Sequence, residues 1–401
     1  MKLKSLTLLC ALLASAGIAQ AASSLTVLSN GGGSSDISAD GRYAVFGSGG
    51  AVWRYDATTG AATNIGGLAP GGAPAPAGSM AISADGSTVL GGLKNTTLNA
   101  NVAAVWDSTT GTWSPMGAFG AVSSGQATAG YNISSNGRYV VGSSYNSVTV
   151  GTSTVASSQA FITDRVTGSF INLSDNSAAN VASRVNAVST DGSVLVGSYT
   201  NSRTGTMWKR QADGSYLRST FTQPDGSTSN ETTAISNNGL WATGLSFNKT
   251  NPYILNTTTG VTTTFAKLNV LDGGGRATVT PTAISEDGQT VIGTHQIGTQ
   301  GADTNLGFIW TATGGTQNID DYFASYGIDT ANQFNFISPQ AMSADGLSFV
   351  GIGLNNSTHS LMTFMVTLTA PVPEPSSYAL MAAGLGVMGL LARRRRKQQL
   401  G

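Results

Sequence analysis

Between residues 24 and 368 the chain is a succession of short runs in which apolar and polar residues alternate, each cut by a glycine-containing turn. A period of two is that of half-buried β-strands, and no long 3.6-residue apolar period competes with it in this span. The alternation is anchored by a phrase that recurs seven times: an apolar residue, Ser, any residue, Asp or Asn, then Gly. It occupies residues 37–41, 82–86, 133–137, 188–192, 235–239, 284–288 and 342–346. Its glycines lie 45, 51, 55, 47, 49 and 58 residues apart. A period of this size marks a repeat architecture in which no unit buries its apolar face alone.

Each unit reads as four strands. The first carries the phrase and ends at the Asp-Gly or Asn-Gly pair, a strong hairpin signal. The second is β-branched or apolar and ends on a Gly that lies six residues after the Asp or Asn in six copies. The first copy places Phe46 there and Gly47 one step later, which predicts a bulge in that copy. The third strand is aromatic-rich, as in Val52-Trp53, Val105-Trp106, Phe161-Ile162 and Phe308-Ile309-Trp310. A turn, usually Thr-Gly, then leads to the fourth.

Four-stranded units at this spacing predict a β-propeller. The seventh unit has no fourth strand, because proline-rich sequence begins at Pro371, whereas residues 24–29 form a strand with no unit of their own. Pairing that orphan with the last unit removes an open edge. The expected fold is therefore all-β: a seven-bladed β-propeller closed by an N-terminal strand. Small side chains are expected to face the axis. They stand just ahead of the apolar residue of the phrase (Asp36, Ala81, Asn132, Ala187, Ala234, Ala283, Ala341), with the Ser two positions later on the same strand face. The apolar residue between them turns to a neighbouring blade.

The two ends have a different composition. A short basic head, an apolar run and the site Ala19-Gln20-Ala21 predict a cleavable secretory signal over residues 1–22. The only cysteine, Cys10, lies inside it, so the remaining chain forms no disulfide. From residue 23 to 369 there are 13 Lys plus Arg against 19 Asp plus Glu, a formal charge of −6, on a surface otherwise rich in Ser, Thr, Asn and Gly. This excludes a nucleic-acid footprint. It suits an extracellular setting.

After the propeller (23–369) and a proline-rich linker (370–376) comes a hydrophobic helix with a basic tail (377–397). The linker holds Pro373-Glu374-Pro375, and the tail holds Arg393, Arg394, Arg395 and Arg396. The apolar stretch is short against the ~20 residues that span a bilayer comfortably, and the basic cluster would stay cytoplasmic. The three parts in this order resemble the PEP-CTERM sorting signal of Gram-negative bacteria. The resemblance implies export, transient retention in the inner membrane by a short transmembrane helix, processing near Pro373-Glu374-Pro375 by an exosortase-type enzyme, and delivery to the cell surface or exopolysaccharide matrix. A permanent anchor is the alternative. The body resembles the HAF-type extracellular repeats: Gln159-Ala160-Phe161-Ile162 is similar to their His-Ala-Phe-Leu element, and Asn64-Ile65-Gly66-Gly67-Leu68 to their Leu-Gly-rich element. The first His is absent in every copy. That family implies a secreted repeat protein with no established reaction.

Candidate chemistry is sparse. Asp40, Asp85, Asp191, Asp287 and Asp345 are turn residues, as are Asp56, Asp107, Asp164 and Asp213. On the opposite face, where second-to-third and fourth-to-first loops gather, Arg184 and Glu231 occupy equivalent positions in adjacent blades, which predicts a salt bridge near the central opening ahead of a ligand contact. Arg276 and His295 complete the candidate binding set. Asp272, Asp320, Asp321 and His359 are further polar groups, but two His in separate blades make no metal site, and Asp320-Asp321 lacks the alternating ligands of a calcium loop. No metal or cofactor is expected. There is no nucleophile elbow or P-loop. The sequence is read as a surface-sorted binding or structural module of the exopolysaccharide or biofilm matrix. The alternative is a glycan hydrolase or lyase with its site on the loop face. Polar, Asn-, Thr- or Ser-rich segments such as 93–101 and 143–158 are expected to be loops of that face.

Overall fold

The computed structural model describes residues 22–70, 78–119, 125–150, 153–174, 181–247, 251–269, 278–297, 305–328, 330 and 333–369. The signal-cleavage residues Ala19 and Ala21, the candidates Arg276 and Asp272, and the sorting residues Pro373, Glu374, Pro375, Arg393, Arg394, Arg395 and Arg396 lie outside them, as does the expected membrane-crossing helix. Among the described residues no helix is long and apolar enough to cross a membrane.

The described strands form seven antiparallel sheets, one per repeat, and the protein is a seven-bladed β-propeller. We number the blades in chain order from Ser35. Blade 7 consists of Phe334–Met342, Ser348–Asn355 and Ser360–Thr367, and its outermost strand is Ser24–Ser29 from the amino end. Leu25 pairs with Val366 and Thr26 with Met365. The orphan strand thus closes the ring. Beyond it, the amide of Thr369 donates to Ser23 Oγ at 3.1 Å. In blade 6 a short strand, Ser246–Phe247, leaves the second strand of blade 5 and pairs with Thr278–Ile284, making that sheet five-stranded.

The apolar residue of each phrase packs backwards: Ile82 joins the core of blade 1 with Val45, Phe46 and Val52, and Ile133 joins that of blade 2 with Ala81 and Leu90. The residue just ahead of it lines the axial cavity in six copies (Asp36, Asn132, Ala187, Ala234, Ala283 and Ala341), as expected, while Ala81 packs in an inter-blade layer. The expectation that the phrase Ser faces the axis is corrected. The Ser is buried in its own turn, where Oγ donates to the turn Asp or Asn at 2.5–2.8 Å in all seven copies. It also accepts from the amide five residues on at 2.8–3.0 Å. The turn Gly adopts positive φ, 68–74° across the seven copies.

A second correction concerns the bulge. In blades 3 to 7 the inner strand carries a register shift with one extra residue at the equivalent position, Tyr131, Asn186, Thr233, Thr282 and Gln340, and blade 7 has a second shift between Asn335 and Ser338. Blade 1, expected to be bulged, pairs Ser35 with Phe46 and Ile37 with Ala44 without a shift. The Gly six residues after the Asp or Asn explains the difference. At Gly142, Gly197, Gly244, Gly293 and Gly351 a Cβ would overlap the carbonyl oxygen of Ala129, Arg184, Glu231, Thr280 and Ser338, which the bulge swings across the strand. Phe46 is tolerated at this position because the inner strand of blade 1 has no bulge; the one register shift in that blade lies between its third and fourth strands.

Of the segments 93–101 and 143–158, expected as loops, residues 93–95, 100–101, 143–150 and 153–158 are strand extensions instead, with a turn at 96–99. Thr88–Asn95 pairs with Ala100–Asp107, and Tyr139–Val150 pairs with Ser153–Asp164 through twelve residues each. Their Val- and Thr-rich alternation favours a pleated ribbon. One short helix, Ile319–Ser325, is inserted between blades 6 and 7, capped by Asn318 Oδ1 accepting from the Asp320 amide. Its Phe323 packs edge-on against Phe336 and Phe349.

Candidate functional site

A β-bulge aims its extra residue away from the strand's normal pleat, and here that direction is the propeller axis. The five bulge residues, with Ser35 and Met80 at the equivalent positions of blades 1 and 2, line an axial cavity of ≈490 Å³. A volume of this size lies within the range of small-molecule sites. The bulge residues also bridge blades. Asn186 Nδ2 donates to Thr232 O (2.8 Å), Thr282 Oγ1 to Pro339 O (2.7 Å), and Gln340 Oε1 accepts from the Ser35 amide (2.6 Å).

At the loop-face end of this cavity Arg184, Arg203 and Glu231 come together. Glu231 is completely buried, while the side chains of Arg184 and Arg203 keep 31% and 45% of their surface exposed. Glu231 Oε1 accepts from Arg184 Nε at 2.5 Å and from Asn186 Nδ2 at 2.6 Å, and Oε2 accepts from Arg203 Nε. Burial raises the Glu231 pKa, but the hydrogen bond and charge of Arg184, the charge of Arg203 and the Asn186 amide outweigh it, so the carboxyl lies below its ordinary value. The Arg184 guanidinium lies 5.2 Å from the centre of the Tyr131 ring. Arg203 sits in the second-to-third-strand turn of blade 4 with φ +56°. That turn is laid against blade 5 by the Thr204–Asn230 bridge and by the Gly205 amide donating to Ser229 O (2.9 Å). Only Gly fits at 205, because a Cβ there would overlap Asn230 O.

Deeper in the cavity, Asp36 reaches from blade 1 to the unpaired inner edge of blade 2. Its carboxylate accepts from the Ile37 and Ile82 amides, both at 2.8 Å. Burial, offset by these two bonds, pushes its pKa up to about 7. Asn132 makes the same kind of link to the Val188 amide (3.3 Å).

The far end is drawn together by the unspecified residue of the phrase. Ala39 N donates to Ala84 O, Ala84 N to Ser135 O, Thr190 N to Asn237 O and Ala344 N to Ala39 O, at 2.7–3.1 Å. Ser135 Oγ and Thr190 Oγ1 meet at 2.5 Å. The Glu286 carboxylate accepts from the amides of Asn237 (2.9 Å) and Asn238 (3.0 Å). Among the described residues this girdle spans six of the seven blade junctions.

Of the candidate binding residues, Arg184 and Glu231 meet as their register requires. His295 does not join them, and its assignment to the loop surface is corrected: strand Thr290–Gln296 carries it into blade 6, where it is fully buried beside Leu306 and Val279. Asp320 is tied to the Phe336 amide (3.1 Å) and burial raises its pKa to about 6, while Asp321 is exposed. His359 is an exposed turn residue with φ +53°. Among the described residues no three His, Cys, Asp or Glu gather as metal ligands. The sequence reading missed Arg203, Tyr131, Asn186 and Gln340. The Gly opposite each bulge was the available signal for the last three.

Beyond the propeller the chain carries one further recognisable element. Residues 371–397 match the PEP-CTERM protein-sorting motif. The protein is therefore exported and sorted to the surface, and the motif implies processing by an exosortase-type enzyme. No curated protein sequence matches the chain. Among solved structures it is similar to the β-propeller domain of the Trilobed protease from Pyrococcus furiosus, at 11% identity over 89% of this chain and 99% of that one, with a TM-score of 0.49. A chain of the Mitotic Checkpoint Complex is 15% identical over 86% and 91%, with a TM-score of 0.49. TolB from Acinetobacter baumannii is 15% identical over 74% of this chain and only 54% of that one, with a TM-score of 0.36. Similarities at these identities do not extend to activity.

Proposed function

We propose that the protein is a binding module of the extracellular polysaccharide matrix, with the axial cavity as its ligand site. In this reading the 1–22 signal is removed on export, and the sorting segment holds the protein transiently at the inner membrane before release. The observation that carries the proposal is the cavity itself. Five bulges direct Tyr131, Asn186, Thr233, Thr282 and Gln340 into it, and a prearranged Arg184–Glu231–Arg203 cluster stands at its mouth. Hydroxyl, amide and aromatic groups on a rigid scaffold are what saccharide hydroxyls and ring faces require. The Ser-, Thr- and Asn-rich surface and the similarity of the body to HAF-type extracellular repeats support the same setting.

A glycan hydrolase or lyase is the alternative, and Asp36, poised near neutrality in the cavity, is what favours it. Glycosidases need a pair of carboxyl groups in different protonation states. Glu231 is held ionised between two guanidiniums, and Glu286 caps backbone amides. Binding is thus the better-supported function. Incubating the purified full-length protein with extracellular polysaccharide from the producing cells tests both readings. Co-sedimentation without release of reducing ends is expected. Release of reducing ends would establish the enzyme, and no association at all, with normal biofilm in a deletion strain, would remove the matrix role.

A further inference from the structure

We infer that the mouth of the axial cavity receives the acidic end of a saccharide chain, with a uronate-type carboxylate held by Arg184 and Arg203. This rests on the axial cavity being the ligand site and adds the ligand's charge and its direction of entry.

Among the described residues, Asp56, Asp107 and Asp164 each form an ion pair with one arginine on the turn face, whereas Glu231 pairs with two. At the cavity mouth, two partly exposed guanidiniums thus share one buried carboxylate. Glu231 clamps both guanidiniums from behind, Asn186 braces the clamp, and Tyr131 lies beside Arg184. Ordering two long side chains usually opposes binding; here folding has already ordered them. A guanidinium's planar fork matches a carboxylate.

The opposite end sets the direction. Among the described residues the girdle draws six of the seven blade junctions together at the far end, so that end is the narrower and a polymer enters by its end, from the arginine side. The leading ring offers hydroxyls to Asn186 and Gln340, deeper in the cavity, while its acid group stays at the mouth.

Calorimetric titration of the full-length protein in detergent with trigalacturonate, maltotriose and a sulfated trisaccharide tests this. Trigalacturonate is expected to bind at least about tenfold more tightly than maltotriose, and to weaken by about tenfold between roughly 50 and 500 mM salt. Polygalacturonate should bind no more tightly per chain than the trimer. Arg203→Gln should lower affinity at least about tenfold and Arg203→Lys by less, because lysine keeps the charge without the fork. Arg203→Gln leaves the buried Glu231 with one guanidinium and should melt lower than the parent, and Arg203→Lys by less, so the titrations are run at a temperature where all three proteins are fully folded. Equal affinity for maltotriose, or an Arg203→Gln variant that binds as the parent does, overturns the inference. Preference for the sulfated probe overturns the carboxylate assignment, and affinity that grows with chain length overturns end-on entry. If none of the probes binds but matrix polysaccharide does, this inference fails and the matrix reading stands. If neither binds, the reading beneath it fails.

Discussion

The serine of the repeated phrase illustrates what a single residue contributes here. Its hydroxyl donates to the turn acid or amide and accepts the next strand's first amide, so one side chain closes both ends of the turn. For Ser134→Ala, the buried Tyr139 amide loses its 2.8 Å acceptor. A loss of about 1–2 kcal/mol is expected in chemical denaturation, reflecting an unsatisfied buried donor. This role was partly legible, because Ser-x-Asp-Gly chemistry is local. The girdle was not: four of its six described junctions are built from backbone groups of the residue between Ser and the Asp or Asn, where side-chain identity leaves no pattern, and the other two use Ser135 with Thr190 and Glu286. Asp36 adds a pH dependence. Its folded pKa of about 7 lies above its ordinary 3.8, so the folded protein keeps a proton that the unfolded chain releases. The stability this contributes is complete below pH 4 and is lost as pH rises through 7, by on the order of 2 kcal/mol for a carboxyl that keeps some water contact. Asp36→Asn, copying Asn132 in blade 3, should flatten that part of the stability profile between about pH 4 and 7. A variant with the same slope as the parent would show that Asp36 titrates normally.

Among the structural elements, the inner strands carry the functional geometry. The sequence pattern located every blade, because alternation and Asp-Gly turns are local signals. It read the Gly six residues later as a strand end, although in five blades it is the space into which a bulge folds its carbonyl. Gly197→Ala should therefore cost about 3 kcal/mol, as overpacking against backbone does. Because the carbonyl in the way is that of Arg184, the same variant should displace the arginine and weaken ligand binding in parallel. Thermal melting and titration of that one variant check both effects. A substitution that leaves melting unchanged would mean that the inner strand of blade 4 is not bulged. The strand extensions up to Asn95 and past Ser144 were misread for a related reason: Ser, Thr and Asn suggest loops by composition, while past Ser144 their alternation with Val gives a paired ribbon.

At the scale of the whole molecule, ring closure places seven inner strands around one cavity and joins the first strand of the chain to its last. Closure was legible from an orphan strand and an incomplete unit. Arg203 was not, since it reaches Glu231 only because blades 4 and 5 approach closely at Gly205, a contact between repeats that no single repeat encodes. Closure also decides whether an axial site exists at all. The chain's only cysteine is Cys10, so in a Cys10→Ser background paired cysteines report on closure alone. Antiparallel neighbours alternate between hydrogen-bonded and non-hydrogen-bonded pairs, so one of the two adjacent pairs, Leu25→Cys with Val366→Cys or Thr26→Cys with Met365→Cys, should form a disulfide readily under mild oxidation. The pair mismatched by two residues, Leu25→Cys with Phe364→Cys, should stay reduced. Failure of both matched pairs to cross-link, or equal cross-linking of the mismatched pair, would contradict a ring closed by the amino-terminal strand.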